Sequence, residues 1–366
     1  MKQITLGTLK CNETEDWGAD ECRLDISIDG VLQPYLRRSL NDGQRWRLNR
    51  SYRYSDNLLI RLWDEDSPDA DDRLGTIALN RTARSGRAKL TGSGAEYVLS
   101  YSIEDVPNED PVQAALERFE QSSRPGKWRN LSKQGMLDDI RDNLAAPESV
   151  RQNSTPLCGP AAIVYELVRK RPERYVAICQ ELYETGQFRM GDKIVKPNAR
   201  LLGDRQHSST SEADWMLLAT MRDAENAVFK VRADASGLAM NIAGITTPWE
   251  MKGWAKDLLG YQTVSFTSTF VYGEFDAMRE AQKAVRRGGV AFPMIHSDLV
   301  RSQRPTLDYP DHWVVYTGGL DIDEGVWYKH DSGRIKFDCF SWRKIWTVNV
   351  DEGAFEDGMF GVVIAY

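Results

Sequence analysis

The sequence predicts an all-β antiparallel sandwich over residues 1–106, a helical linker over 107–145 and an α+β domain over 146–366. Three observations predict this division. Up to about residue 105, short apolar segments end at turn residues, as strands do. From residue 160 onward, apolar side chains recur at helical spacing. After residue 290 strand patterns dominate, and helices followed by an antiparallel sheet are typical of α+β domains.

Each element follows from its own pattern. In the first half, strands are predicted over 24–28, 58–63 and 97–103; turn residues over 108–111 end the domain, and a spacer helix follows over 112–121. In the second half the predicted helices are 161–168, 212–221, 248–259 and 275–287, and the predicted strands are 290–295, 312–316, 325–328, 334–337 and 359–366. Pro248 suits a first helical turn, and Gly260 suits a helix end.

The bulk composition narrows the class of function. The chain has 366 residues and a net charge of −7, which argues against a nucleic-acid-binding surface. Its 5 cysteines are scattered without a CxxC pair, so neither a disulfide framework nor a zinc site is predicted. We expect reduced thiols, synthesis in a cytosol without a cleaved leader, and no membrane-spanning segment.

The stretch from Gln152 to Ala162 carries the strongest chemical signal. A turn-prone run delivers Cys158 to the start of a predicted helix, where the helix dipole favours a thiolate. His312 opens a strand far downstream and can serve as the base, and Asp331 after the next strand can orient its ring. Gln152 can donate its side-chain amide to a developing oxyanion, beside the backbone N–H of Cys158.

These motifs resemble a known family over residues 146–366, about three fifths of the chain. Gln-x5-Cys-Gly-Pro, then His-Trp-Val-Val and His-Asp-Ser-Gly, are similar to the bacteriocin-processing, double-glycine-leader peptidases of the papain-like superfamily. The resemblance implies a papain-like α+β fold and a Cys158–His312–Asp331 triad with Gln152 at the oxyanion. Ser332 departs from the family's proline, and a long insertion around 185–245 suggests a different substrate.

Other residues compete for these roles. His296 ends a strand and is a rival base, while Asp311 and His330 are rivals to Asp331 as the group that orients the imidazole. Each residue also has a purely structural alternative: a buried thiol for Cys158, a loop-holding imidazole for His312 and a solvated amide for Gln152.

An acidic loop is the second strong signal. From Asp64 to Asp72, six of nine residues are acidic, and so many carboxylates repel one another unless they are solvated or bound to metal. The pattern resembles the calcium- and lipid-binding β-sandwich of protein kinase C and synaptotagmin. That resemblance implies calcium ligands at Asp20, Asp64, Asp66 and Asp72. The alternative is a solvated turn that binds no metal.

Together these features predict a cysteine peptidase that acts on a protein substrate without a cofactor for catalysis. A sandwich joined to a lone peptidase domain resembles bacterial effectors such as type VI secretion toxins, which implies delivery into a target cell and a cognate immunity protein. Deamidase, transglutaminase and amidase activities share the same triad and stay open. A calcium- or lipid-binding adapter with an inactive peptidase-like scaffold is the alternative of another class. Membrane docking is weakly supported, because no basic patch adjoins the acidic loop.

Overall fold

The computed structural model describes residues 1–366 except 16–17, 34, 66–70, 107–109, 152–156, 192, 204–210, 229–245, 270–272, 308 and 327–331. Two compact units divide the chain. Unit 1 comprises Met1–Glu109, Arg287–Gly289 and Tyr366, and unit 2 comprises Asp110–Arg286 and Val290–Ala365. Each unit has its own hydrophobic core.

Unit 1 is an antiparallel β-sandwich. One sheet has the strand order β5-β1-β9-β8 and the other β3-β2-β6-β7, with β4 also paired to β2. The strands are β1 Lys2–Glu13, β2 Asp20–Ile28, β3 Val31–Leu32, β4 Leu36–Leu40, β5 Arg45–Tyr54, β6 Asn57–Asp64, β7 Asp72–Asn80, β8 Gly86–Gly92 and β9 Ala95–Asp105. Along β6 every second side chain is buried, which is the alternation that one core-facing sheet surface requires.

Unit 2 has eight helices among its described residues, and the first six contribute side chains to one apolar cluster. They are α1 Pro111–Gln121, α2 Lys133–Ala145, α3 Cys158–Lys170, α4 Pro172–Thr185, α5 Glu212–Val228, α6 Pro248–Asp257, α7 Glu274–Arg286 and α8 Glu352–Gly358. The first eleven residues of α3, Cys158 to Val168, are all buried, so this helix runs through the core rather than along the surface. Thr247 and Glu250 form a capping box at the start of α6.

The strands of unit 2 form antiparallel sheets in the orders β12-β18-β13-β14 and β15-β16-β17, with a separate β10-β11 hairpin. Their bounds are β10 Phe188–Met190, β11 Lys193–Val195, β12 Val264–Ser268, β13 Val290–Ile295, β14 His312–Trp313, β15 Val315–Asp323, β16 Arg334–Ser341, β17 Lys344–Asp351 and β18 Met359–Ala365. In register, His312 lies opposite Ile295 and Trp313 opposite Met294. The short strand β14 is therefore held by the buried strand β13.

The segment 107–145 is not the linker that the sequence predicts, as far as it is described. From Asp110 onward it belongs to unit 2, and its apolar side chains pack into that unit's core. Phe119, Met136 and Ile140 are fully buried there. The charged residues between them mask this pattern, because each helix buries only one face.

Most other predicted elements are present, with different ends. Helix α5 continues seven residues past the predicted end at 221, since Ala224 and Glu225 remain buried on its core face. Of the strand predicted over 325–328, residues 327 and 328 lie outside the described residues, and 325–326 are not in a strand. Of the helices that the structure describes, none has the length and apolar character that crossing a bilayer demands.

Replacing Tyr97 by phenylalanine should destabilise unit 1. The Tyr97 hydroxyl donates to Asp20 Oδ2 at 2.6 Å in a buried contact. Without this donor a buried carboxylate loses a partner, which should lower the free energy of unfolding by about 1–3 kcal/mol. Because all five cysteines are buried, pulsed thiol labelling of Cys11 along a urea titration reports the unfolding of unit 1. Tyr101→Phe, on the same strand, is the control, and an equal midpoint for both variants would contradict the expectation.

Candidate functional site

The sulfur of Cys158 lies at the start of the buried helix α3. Cys158 is the first residue of the helix and is 4% exposed, and the residue before it, Leu157, provides no side-chain cap. Three backbone N–H groups, those of Trp313, Gly159 and Cys158 itself, act on the sulfur and lower the pKa of the thiol. The N–H of Trp313 lowers it most. The sulfur therefore lies beside the peptide bond that joins His312 to Trp313. The fold brings together two residues that are far apart in the sequence.

A close contact fixes the first turn of α3. A Cβ added at Gly159 would lie 2.3 Å from Thr246 Oγ1, so only glycine fits. The Thr246 carbonyl accepts a hydrogen bond from Trp313 Nε1 at 2.7 Å. Thr246 thus contacts both helix α3 and strand β14, and it fixes their relative position.

The imidazole of His312 is buried and held by a serine. His312 Nε2 lies 2.6 Å from Ser341 Oγ at the end of β16. The ring of Trp342 stacks on the imidazole with 4.9 Å between centroids. The contact with Ser341 engages Nε2, one of the two ring nitrogens.

Trp342, whose ring stacks on the imidazole, lies in a turn with left-handed backbone angles. Trp342 and Arg343 connect β16 to β17 and have φ angles of 45° and 66°, in the left-handed region. Such a turn normally uses Asn-Gly, because a side chain in this region costs about 1–2 kcal/mol. A bulky ring held there is strain of the kind found at functional sites.

Burial keeps both members of the pair neutral. Burial raises the pKa of the Cys158 thiol to about 11, and the backbone N–H groups and Arg222 only partly oppose it. Burial lowers the pKa of His312 to about 4, with Asp311 acting to raise it and Arg301 to lower it. Burial thus favours the thiol of Cys158 and the neutral imidazole of His312, against the effect of the helix dipole on the thiolate.

A buried glutamate on α5 and its arginine partner act on the surroundings of Cys158. Glu225 Oε1 accepts a hydrogen bond from Thr246 Oγ1 at 2.6 Å, and Arg222 forms an ion pair with the same carboxylate. Burial raises the pKa of Glu225 to about 7. The predicted end of α5 at 221 excluded both residues, so sequence analysis missed them.

The structure describes only some of the predicted site residues and their contacts. Gln152, Asp331 and the rival His330 lie outside the described residues, so their roles stay predictions. His296 accepts from the backbone N–H of Asp298 at 3.2 Å and caps a short helical turn. Asp311 accepts from the backbone and hydroxyl of Ser297. Ser341, which does contact His312, was missed because nothing in the sequence distinguishes it from other serines.

The acidic loop of unit 1 is held by protein donors wherever it is described. Asp20 accepts from the backbone of Glu15 and from Tyr97, and Asp64 accepts from the backbone of Glu21 at 2.6 Å. Asp72 lies opposite Asp64 in the β6–β7 register. Among the described residues, no group of three or more potential ligands could hold a metal ion. Asp66 lies outside the described residues, so the calcium site stays a prediction.

Arginines neutralise the carboxylates next to these predicted ligands. Arg23 is buried and contacts Asp25, Glu65 and Asp71 at distances of 3.1, 2.7 and 2.7 Å. Arg37 reaches the second oxygen of Glu65 at 2.9 Å. These guanidinium groups supply positive charge to carboxylates that are not among the predicted calcium ligands.

The comparisons with known proteins concern the sandwich. No family model matches the chain, and no curated protein matches it. The chain is similar to a solved structure of a C2 domain, with 16% identity over 29% of this chain and 100% of that chain and a TM-score of 0.25. It is similar to a C2 domain of a plant extended synaptotagmin 1, with 12% identity over 29% of this chain and 95% of that chain and a TM-score of 0.21.

A third similar structure contains the SMP domain and two C2 domains of extended synaptotagmin 2. The identity is 18% over 34% of this chain and 31% of that chain, with a TM-score of 0.22. At such TM-scores the similarity transfers no function. The assignment of unit 1 as an antiparallel sandwich rests on its own strand order.

Replacing Arg23 by methionine should unfold unit 1 more readily. The variant breaks the contacts of Arg23 with Asp25, Glu65 and Asp71. Glu65 and Asp71 keep Arg287 at 3.1 and 2.8 Å, but breaking a buried ion pair still costs about 3–5 kcal/mol. Thiol labelling of Cys11 and Cys22 along a urea titration measures the loss. Arg61→Met on β6 is the matched control. A loss no larger than that of the control would contradict the neutralising role of Arg23.

Replacing His312 by glutamine should change how stability depends on pH. The unfolded imidazole titrates near 6.5 and the folded one at about 4. Between these values the unfolded state binds the extra proton, so wild-type stability falls as pH falls through this window, by up to about 3 kcal/mol. The variant lacks this contribution. Its free energy of unfolding should therefore rise relative to that of the wild type as the pH falls from 7 to 4.

Urea unfolding followed by tryptophan fluorescence measures this difference, since eight of the 11 tryptophans lie between residues 128 and 346. Asp214 and Glu225, whose pKa values are raised to about 6 and about 7, change stability in the opposite direction with pH. Both are present in variant and wild type, so the difference isolates His312. A difference in unfolding free energy that is constant with pH would show that the imidazole is not buried neutral.

Proposed function

We propose that unit 2 is a papain-like cysteine peptidase domain that cleaves peptide bonds of a protein substrate. The observation that carries this proposal is the position of the Cys158 sulfur at the His312–Trp313 peptide. The hydrogen bond from His312 to Ser341 adds support, because it fixes the ring and leaves Nδ1 for proton exchange. The order of helices and antiparallel strands in unit 2 agrees with this class of fold.

The proposed reaction has two steps. In the first, the Cys158 thiol proton passes to His312 Nδ1 and the sulfur attacks the substrate carbonyl carbon. The C–N bond breaks, the imidazolium gives its proton to the leaving amine, and a thioester remains. In the second, His312 takes a proton from water while the water oxygen attacks the thioester. The C–S bond breaks, the acid leaves and the thiol is restored.

The neutral resting pair sets a condition on the first step. Thiolate and imidazolium become favourable only when a bound substrate supplies polar groups in place of the apolar surroundings that keep both residues neutral. The oxyanion then requires donors, which we assign to the backbone N–H of Cys158 and, as a proposal from the sequence, to Gln152. No metal or organic cofactor enters this scheme.

Other acyl-transfer reactions use the same groups. A deamidase, a transglutaminase or an amidase would form the same thioester and differ only in the leaving group or the acceptor. Mass spectrometry of a treated cell extract separates them. New peptide termini mean proteolysis, a mass increase of about 1 Da on glutamine means deamidation, and glutamine–amine crosslinks mean transglutamination.

We further propose a biological role as a bacterial effector delivered into a target cell, with a cognate immunity protein as partner. This role rests on the pairing of a sandwich with a peptidase-like unit. Expression of the active chain in bacterial and in eukaryotic cytosol tests it, and harmlessness in both would refute it. The proposal of another class is an adapter with an inactive scaffold, which an unchanged biological effect of Cys158→Ala would favour.

Calcium-dependent lipid docking by unit 1 is the proposed function of the sandwich within that adapter role. The support is the Asp64–Asp72 pair at the end of two neighbouring strands. Sedimentation with vesicles of phosphatidylcholine and phosphatidylserine, with calcium and with chelator, tests it. Equal sedimentation in both conditions would refute calcium-dependent docking.

Replacing Ser341 by alanine should reduce turnover without abolishing it. The variant removes the partner of His312 Nε2, and the loss of one hydrogen bond to a charged imidazolium should cost about ten- to hundred-fold in rate. Cys158→Ala should abolish turnover. New termini in a cell extract, counted over time, measure both effects. Ser265→Ala, an exposed serine on β12, is the control, and a Ser341→Ala rate equal to this control would remove Ser341 from the mechanism.

A further inference from the structure

A surface of aromatic and cationic side chains adjoins the His312 ring. We define the Trp342 surface by Arg301, Trp342, Arg343, Lys344 and Trp346. The guanidinium carbon of Arg301 lies 4.7 Å from the Trp342 ring centroid, and Lys344 Nζ lies 3.5 Å from that of Trp346. The two tryptophan rings meet edge to face at 5.8 Å. Two cations therefore cover one continuous aromatic pair.

This surface is positive in a chain with a net charge of −7. Arg301, Arg343 and Lys344 are exposed, and within the described residues none of them forms an ion pair with a carboxylate. The sequences 299–307 and 341–346 contain no acidic residue. By contrast, Arg304 lies in the same segment as Arg301 but is paired with Asp357 at 2.7 Å. The positive charge of the Trp342 surface is thus available to a ligand.

The strained turn maintains this surface next to the imidazole. Trp342 and Arg343 occupy the left-handed region, where Asn-Gly would be more stable. The result of that strain is a tryptophan ring with the imidazole stacked on it and a guanidinium over it. An outlier of this kind, at this position, points to a role in binding.

We propose that the Trp342 surface binds an acidic segment of the protein substrate, on the side that follows the scissile bond. This inference rests on the proposed peptidase function. Arginine binds carboxylates through paired hydrogen bonds, and the tryptophan faces can cover the apolar part of the same segment. The imidazole must reach the leaving amine, so a surface beside the imidazole faces the residues that follow the scissile bond.

The same contact would favour the charged form of the catalytic pair. Arg301 disfavours the His312 imidazolium, and Asp311 is the group that favours it. A substrate carboxylate bound to Arg301 offsets the positive charge beside the ring. The acidic segment would therefore assist both binding and proton transfer, and the loss of Arg301 should affect acidic substrates far more than neutral ones.

A binding experiment tests the surface without requiring turnover. The full chain with Cys158→Ala is titrated into a fluorescein-labelled decapeptide of alternating glutamate and alanine, and into its glutamine–alanine counterpart, and anisotropy is recorded. We expect the glutamate peptide to bind about ten-fold more tightly at low salt. Adding Arg301→Gln should remove that preference, while adding Arg304→Gln, the matched control, should keep it. Equal affinity for the two peptides would overturn the proposal.

A cleavage experiment separates this inference from the peptidase function. The wild-type chain is incubated with a proteome-derived peptide library, and the cut sites are mapped by mass spectrometry. We expect aspartate and glutamate to be enriched after the cut, and Arg301→Gln to lower the ratio of kcat/KM for acidic peptides to that for neutral peptides about ten-fold. Cleavage without this enrichment refutes the acidic surface and keeps the peptidase. Absence of any cleavage refutes the peptidase, and the binding experiment then decides the surface alone.

Discussion

The packing of the first turn of α3 against strand β14 is the constraint on which the candidate site depends. Gly159 leaves room for Thr246, and Thr246 receives the indole N–H of Trp313. This contact brings the Cys158 sulfur to the His312–Trp313 peptide. Because the helix is buried on all sides and β14 pairs with a buried strand, neither partner can move without disturbing the core.

The close packing that builds the site also favours the neutral forms of its two titratable groups. Burial raises the pKa of Cys158 and lowers that of His312. In the proposed peptidase, proton transfer from Cys158 to His312 would therefore require a change in the surroundings of the two residues. Ser341, which contacts the imidazole, and Arg301, which lies over Trp342, are the groups through which we propose that a substrate acts.

Both units contain arginines that pair with carboxylates shielded from water. In unit 1, Arg23 neutralises Glu65 and Asp71, and in unit 2, Arg222 pairs with Glu225. In each case a guanidinium offsets the cost of taking the carboxylate out of water. The sequence did not predict Arg23–Glu65, because the two residues are far apart in the chain, or Arg222–Glu225, because the helix was expected to end at residue 221.

The sequence by itself determined most elements and the position of Cys158. Short apolar runs bounded by turn residues predicted strands such as β6, helical spacing predicted α3, and the Cys-Gly-Pro run placed Cys158 at a helix start, because these signals are local. Only the tertiary structure decided the partners. Ser341, which the sequence did not single out, contacts His312 Nε2, and the segment 110–145 joins the core of unit 2. Such contacts depend on which strands and helices pack together, and no single stretch of sequence encodes that choice.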